Sequence, residues 1–175
     1  MGLSAPLWRD SNQNPVQIGG VVSRKSQTLV GNNTTVNTPI FRITGTVQVV
    51  ALYGVVTTTI GANHTAGLYR LNDQTAQVAI TTSGATLSGL AVGTTIVKKG
   101  LAAAALTLLD NAAGRVSEPT TLETSYFSPF VIMKKNGANT DIEYGYATTD
   151  TPTSGVIQHF LVWMPVSQDA NVVAQ

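Results

Sequence analysis

The chain has 175 residues, of which 43% are hydrophobic, but charged residues make up only 11% where about 25% is usual. A net charge of +1 gives no long-range field to draw in nucleic acid or an anionic membrane, and the absence of cysteine excludes disulfides, thiolate metal sites and cysteine nucleophiles. Disordered chains pair low hydrophobicity with high charge, so this composition argues for one folded domain with a substantial core, with or without arms.

From Met1 to Pro39 the chain is a thread of Gly, Asn, Gln, Ser, Thr and Pro with isolated apolar residues, among them Leu7, Trp8, Val21 and Val22. It has no basic and apolar leader, and MGLSAP places Pro6 where a myristoylation motif has Ser or Thr. The pattern predicts an extended N-terminal arm over 1–39 that orders by docking on a neighbouring subunit, with Leu7, Trp8, Val21 and Val22 as its interface residues. A frayed terminus is the plainer alternative.

Ile40 to Val50 alternates: Phe41, Ile43, Val47 and Val49 on one parity, Arg42, Thr44, Thr46 and Gln48 on the other. That period of two predicts a single strand with one buried face. VVALYGVV, from Val49, is apolar on both parities and predicts a second strand covered on both sides, with a bulge or close backbone approach at Gly54. Too many threonines and glycines interrupt the charge-poor run Phe41–Thr65 for a membrane span.

Further strands are predicted in GLYRLN, QVAITT, TTIVKK, SYFSPFVIM, TDIEYGYAT and VIQHFLVWM, separated by Gly, Asn, Asp, Ser and Pro punctuation. KKNGANTDIEYGY predicts a hairpin turning at Asn136-Gly137. LAAAALTLLDNAAG, ending at Gly114, is either a helix or a loop with one helical turn, since it lacks a polar face. The sum is an all-β, two-sheet β-sandwich of jelly-roll type over 40–166, with the arm at 1–39 and a tail at 167–175.

Catalytic chemistry finds little support. His64 in GANHTAG and His159 in VIQHFLVWM read as structural residues, one in a turn and one on a strand, with no ligands spaced for a metal. Asp141 and Glu143 share one strand face and have the residue types of a glycosidase pair, but Lys134 and Lys135 nearby favour a solvated, ion-paired surface. No nucleophile elbow, phosphate loop or dinucleotide fingerprint occurs. Asn32, Asn33 and Asn63 open glycosylation triplets that read as polar loops. The expectation is a non-enzymatic protein without cofactor or metal, whose uncharged surface is tiled by other subunits.

The run FRITGTVQVVALYGVVTTTIGANHTAGLYRLND, with its strand, Gly-Thr and Val-Val-Thr-Thr pattern, resembles small structural proteins of tailed-bacteriophage virions. VWMPVS, Val162 to Ser167, is similar to the close of such chains. The resemblance implies a head decoration or cement protein, homotrimeric on the capsid exterior and bound to the major capsid protein, with no nucleic-acid or membrane partner. Fibre or tail components that bind a receptor or glycan share this composition, and Tyr53, Tyr69, Tyr126, Tyr144 and Tyr146 are candidate stacking surfaces for that role. The family supplies no catalytic residue to carry over.

Overall fold

The computed structural model describes residues 8–9, 15–16, 20–31, 36–83, 86–98, 104–109, 129–147 and 149–175. Among these there is no helix, and the chain is built from strands. In order they are β1 (Trp8–Arg9), β2 (Pro15–Val16), β3 (Val21–Thr28), β4 (Val36–Thr44), β5 (Thr46–Thr58), β6 (Leu68–Asn72) and β7 (Gln77–Ala79). There follow β8 (Thr95–Val97), β9 (Thr107–Leu109), β10 (Phe130–Met133), β11 (Thr140–Tyr146), β12 (Val156–Pro165) and β13 (Asn171–Ala174).

Two antiparallel sheets pack face to face. The six-stranded sheet runs β3-β12-β5-β8-β9, with β10 on the first half of β5, and the five-stranded sheet runs β13-β4-β11-β6-β7. Strands β1 and β2 form a separate two-stranded ladder. In the series β3, β4, β5, β6, β7, β10, β11, β12, the first pairs with the last, β4 with β11, β5 with β10, and β6 with β7. That nested pairing is the winding of a jelly roll. The hairpin β8–β9 extends the larger sheet, and β13 adds an edge beside β4.

Phe41, Ile43, Val47, Val49, Leu52 and Val56 all point inward with no exposed surface beyond 1%. They meet Ile142, Tyr144, Ile157 and Leu161 in one continuous core. At about 1.5–3 kcal/mol for each large apolar side chain taken out of water, this layer is the main source of stability.

Several sequence expectations change. The predicted strand Ile40–Val50 is two strands in different sheets: at Gly45, φ +61°, the chain leaves β4 and enters β5. A side chain at Gly45 would collide with Ser167 and Asp169, so the corner requires glycine twice over. The register between β5 and β12 shifts at Val50 and again at Thr57, and not at Gly54. Gly54 is a close approach, since a Cβ there would lie 2.7 Å from Ile157 and 3.0 Å from Ile96.

The Asn136-Gly137 turn forms, with Gly137 at φ +73°, but it does not close a hairpin. Ile132 pairs inward with Val47 in the larger sheet while β11 pairs with β4 and β6 in the smaller, so the turn carries the chain between sheets. Within the proposed helix, Thr107–Leu109 is strand β9, registered on β8 with Leu108 opposite Ile96; 101–103 and 110–113 lie outside the described residues. A segment with no polar face gains more from sheet pairing in a buried setting than from a surface helix.

The arm boundary also moves. Val21–Thr28 pairs along its whole length with β12 as an edge strand of the sandwich, and β4 begins at Val36, so these parts of the expected arm belong to the domain. The expected tail at 167–175 likewise contributes β13, with Val172 buried.

Candidate functional site

The outward face of the six-stranded sheet is built by alternation. Since Leu161 and Trp163 point inward on β12, Phe160, Val162 and Met164 point out. In register with them stand Val22 beside Val162, Ala51 on its other side, and Tyr53 beside Phe160. Tyr53 and Phe160 stack with ring centroids 4.9 Å apart and planes 11° apart. On β10, Val131 and Met133 lie on the same side at 58% and 69% exposure, with Gln48 between Val131 and Met164 and Thr46 beside Met133. The strands place one charged side chain on it, Arg24 opposite Phe160. The apolar patch of Val22, Ala51, Tyr53, Phe160, Val162 and Met164, bounded by Gln48, Gln158 and Arg24, is of the kind that marks interaction surfaces on folded proteins.

The outward face of the five-stranded sheet differs. Arg42 Nε and Nη2 each donate to the Asp141 carboxylate at 2.9 Å, across the β4–β11 pair. Glu143 accepts from Asn72 Nδ2 at 2.7 Å, and Arg70 donates to Asn37 Oδ1 at 2.7 Å. The expected ion-paired face is present, but its partner is Arg42; Lys135 pairs with Asp73 instead, at 3.2 Å. Nor is the pair solvated, because the long neighbouring side chains leave both carboxylates buried. A glycosidase pair needs two carboxyl groups open to a cleft, and these are occupied by neighbours.

Between the sheets lies a buried polar chain containing both histidines. His64 sits in the β5–β6 loop after Asn63, which adopts φ 64°, a conformation asparagine tolerates better than most residues. His64 Nδ1 is 2.9 Å from Asp150 Oδ2 and Nε2 is 2.9 Å from the Tyr144 hydroxyl. A carboxylate only accepts, so Nδ1 carries the hydrogen and Nε2 accepts from Tyr144. Asp150 also accepts from the Thr65 and Ala66 amides and the Thr65 hydroxyl. Burial pushes the Asp150 carboxyl up, and these bonds more than offset it, holding it below its ordinary value. Burial lowers His64, against the raising effect of Asp150.

The second half is His159, whose Nδ1 is 2.9 Å from the Tyr69 hydroxyl and whose Nε2 is 3.2 Å from Gln27 Oε1. Burial pushes its imidazole down to about 3. Tyr69 and Tyr144 are raised by burial, and their rings meet edge to face at 5.5 Å, joining the two halves. No buried side-chain polar atom among the described residues lacks a partner. A fully satisfied network closed to solvent positions strands; it offers a substrate no approach.

Of the expected interface residues, Leu7 lies outside the described residues, and Trp8 pairs with Val16 in the β1–β2 ladder. Val21 is partly buried against the core, and Val22, 50% exposed, lies on the outward face of the six-stranded sheet. Of the five tyrosines, Tyr69, Tyr144 and Tyr146 are buried and Tyr126 lies outside the described residues, leaving Tyr53 at the surface. Phe160, Val162 and Met164 were not singled out from the sequence; their alternation with buried neighbours was visible there, but not that they share one side with Val22 and Tyr53.

A shallow cleft of about 680 Å³ lies between Leu29, Val30, Asn63 and Thr151–Thr153, with no ionisable side chain in its lining. Among the described residues no group of three or more His, Asp or Glu is placed to hold a metal ion, and no helix is long and apolar enough to cross a membrane. No protein-family model, curated protein or solved structure matches the chain.

Proposed function

We propose that the protein is a self-associating structural component of a virion: a capsid decoration or cement protein that binds and stabilises the assembled head of a tailed bacteriophage, as a homotrimer on the capsid exterior. The observation that carries the self-association is the outward face of the six-stranded sheet, where Val22, Ala51, Tyr53, Phe160, Val162 and Met164 form a surface with one charge at its margin. The virion setting rests on the resemblance of Phe41–Asp73 and Val162–Ser167 to small phage structural proteins.

The mechanism is linkage. A protein that binds the assembled shell and not the free capsid subunit raises the cost of losing any subunit by the free energy of its own binding. Docking faces of obligate assemblies bury about 2,000 Å² or more with apolar centres, which suits the chemistry of this face. The major capsid protein is the expected second partner, reached by the residues before Gly20.

Light scattering of the protein alone and with purified empty heads tests the reading. The expected result is a trimer that saturates the heads and delays their thermal rupture, with deletion of 1–19 removing head binding and preserving the sandwich. A protein that stays monomeric at high concentration and leaves the heads unchanged refutes it.

A further inference from the structure

We infer that His159 is an acid latch of the sandwich: a proton taken up by its ring cannot be held in the core, and edge strand β3 is the element that yields to let it out. The hydrogen-bond directions carry this. Gln27 Oε1 only accepts, so His159 Nε2 bears the hydrogen, and Nδ1 takes its bond from the Tyr69 hydroxyl. A second proton on Nδ1 would force the Tyr69 oxygen to accept and leave its own hydrogen without a partner, in a site with no exposed surface.

No negative group answers that charge. From β6 the ring faces Tyr69, from β11 Tyr144 at 5.0 Å, from β3 Gln27, and from β5 the registered Gly54. The titratable neighbour in register on β3 is Lys25, a second positive charge. The carboxylate of the polar core, Asp150, is engaged by His64, Thr65 and Ala66. His64 is the internal control: equally buried, it already donates to a carboxylate, so an imidazolium there would be paired.

Strand β3 yields because it is bonded on one side only, to β12, and itself supplies Gln27. The sign follows. Burial holds His159 near 3, below the ordinary value of about 6.5, so the opened state binds more protons below about pH 6.5. The opening equilibrium then rises up to about tenfold per pH unit as pH falls from about 6.5 towards 3, and the part of that window above about pH 5 lies clear of the range where most carboxylates titrate.

Two measurements on the full chain decide it. Long-range nitrogen–proton NMR resolves both imidazoles, since the sequence has only two histidines. His159 is expected to remain the neutral Nε2–H form from pH 7 to 5. Amide exchange, corrected for its intrinsic pH dependence, is expected to lose up to roughly 15-fold in protection on β3 between pH 6.5 and 5, with β11 changing far less. His159→Gln should flatten that dependence; where the variant does not fold, the wild-type resonances and the β3-to-β11 ratio decide alone. A folded-state His159 titrating near pH 6.5, equal losses on β3 and β11, or an unchanged slope in His159→Gln overturns the latch.

Discussion

Across the five-stranded sheet one outward row runs Val173, Arg42, Asp141, Asn72; across the six-stranded sheet a comparable row runs Val22, Val162, Ala51. Both rows obey the same alternation, yet in one Arg42 is bonded to Asp141 and Asn72 to the neighbouring Glu143, while the other is hydrocarbon. The scarcity of charge in this protein is therefore uneven. On the smaller sheet Asp141 is held by Arg42 and Glu143 by the amides of Asn72 and Gln77, and both carboxylates are buried. That face is finished within a single chain. Among the described residues the larger sheet carries no such bonded set of charges around Val162 and Phe160, and an apolar patch gains by meeting another surface.

The contrast can be broken most sharply at Phe160. Phe160→Asp sets a charge beside Tyr53 at the middle of the apolar face. Self-association should weaken by roughly 30-fold or more, the scale of losing about 2 kcal/mol at a central aromatic, with the far-ultraviolet dichroism of the sandwich retained. An unchanged particle size in sedimentation would transfer the association to some other surface. Next in size is Glu143→Ala, which leaves Asn72 Nδ2 without its buried acceptor. It should cost about 1–3 kcal/mol in urea unfolding and leave the proposed self-association unchanged, so that the two faces separate by which quantity moves.

Smaller still is Val131→Lys, at an exposed position on β10. Its effect on unfolding should stay within about 0.5 kcal/mol, so any weakening of association it causes maps how far the docking surface extends. The least effect belongs to Lys135→Ala. It removes an exposed pair with Asp73, and the melting midpoint should not measurably change.

Alternation made β6, β8, β11 and β12 legible, and with them the all-β class. It could not show that Ile40–Val50 turns a corner, because Phe41, Ile43, Val47 and Val49 keep one parity through Gly45 and each sheet buries its own half. Turn chemistry located Asn136-Gly137 but is blind to which sheet each flanking strand joins. Strand β3 resembled an arm because its inward residues are polar: Ser23 accepts from Trp163 Nε1 and Gln27 from His159. Those partners lie more than 130 positions away along the chain, as Tyr144 and Asp150 lie 80 and 86 from His64. Local pattern carries no information about contacts of that range, so the polar core was invisible while each of its members read as ordinary.

The nested winding has a kinetic corollary. Since β3 finds its place only against β12, early-made chain must wait for late-made chain, and the closing steps carry a large loop-entropy barrier. Refolding from denaturant should therefore take milliseconds to seconds or longer, with β3 the last strand to acquire protection, and a ribosome-bound fragment stopping before Val156 would hold its hydrocarbon layer half open to chaperones.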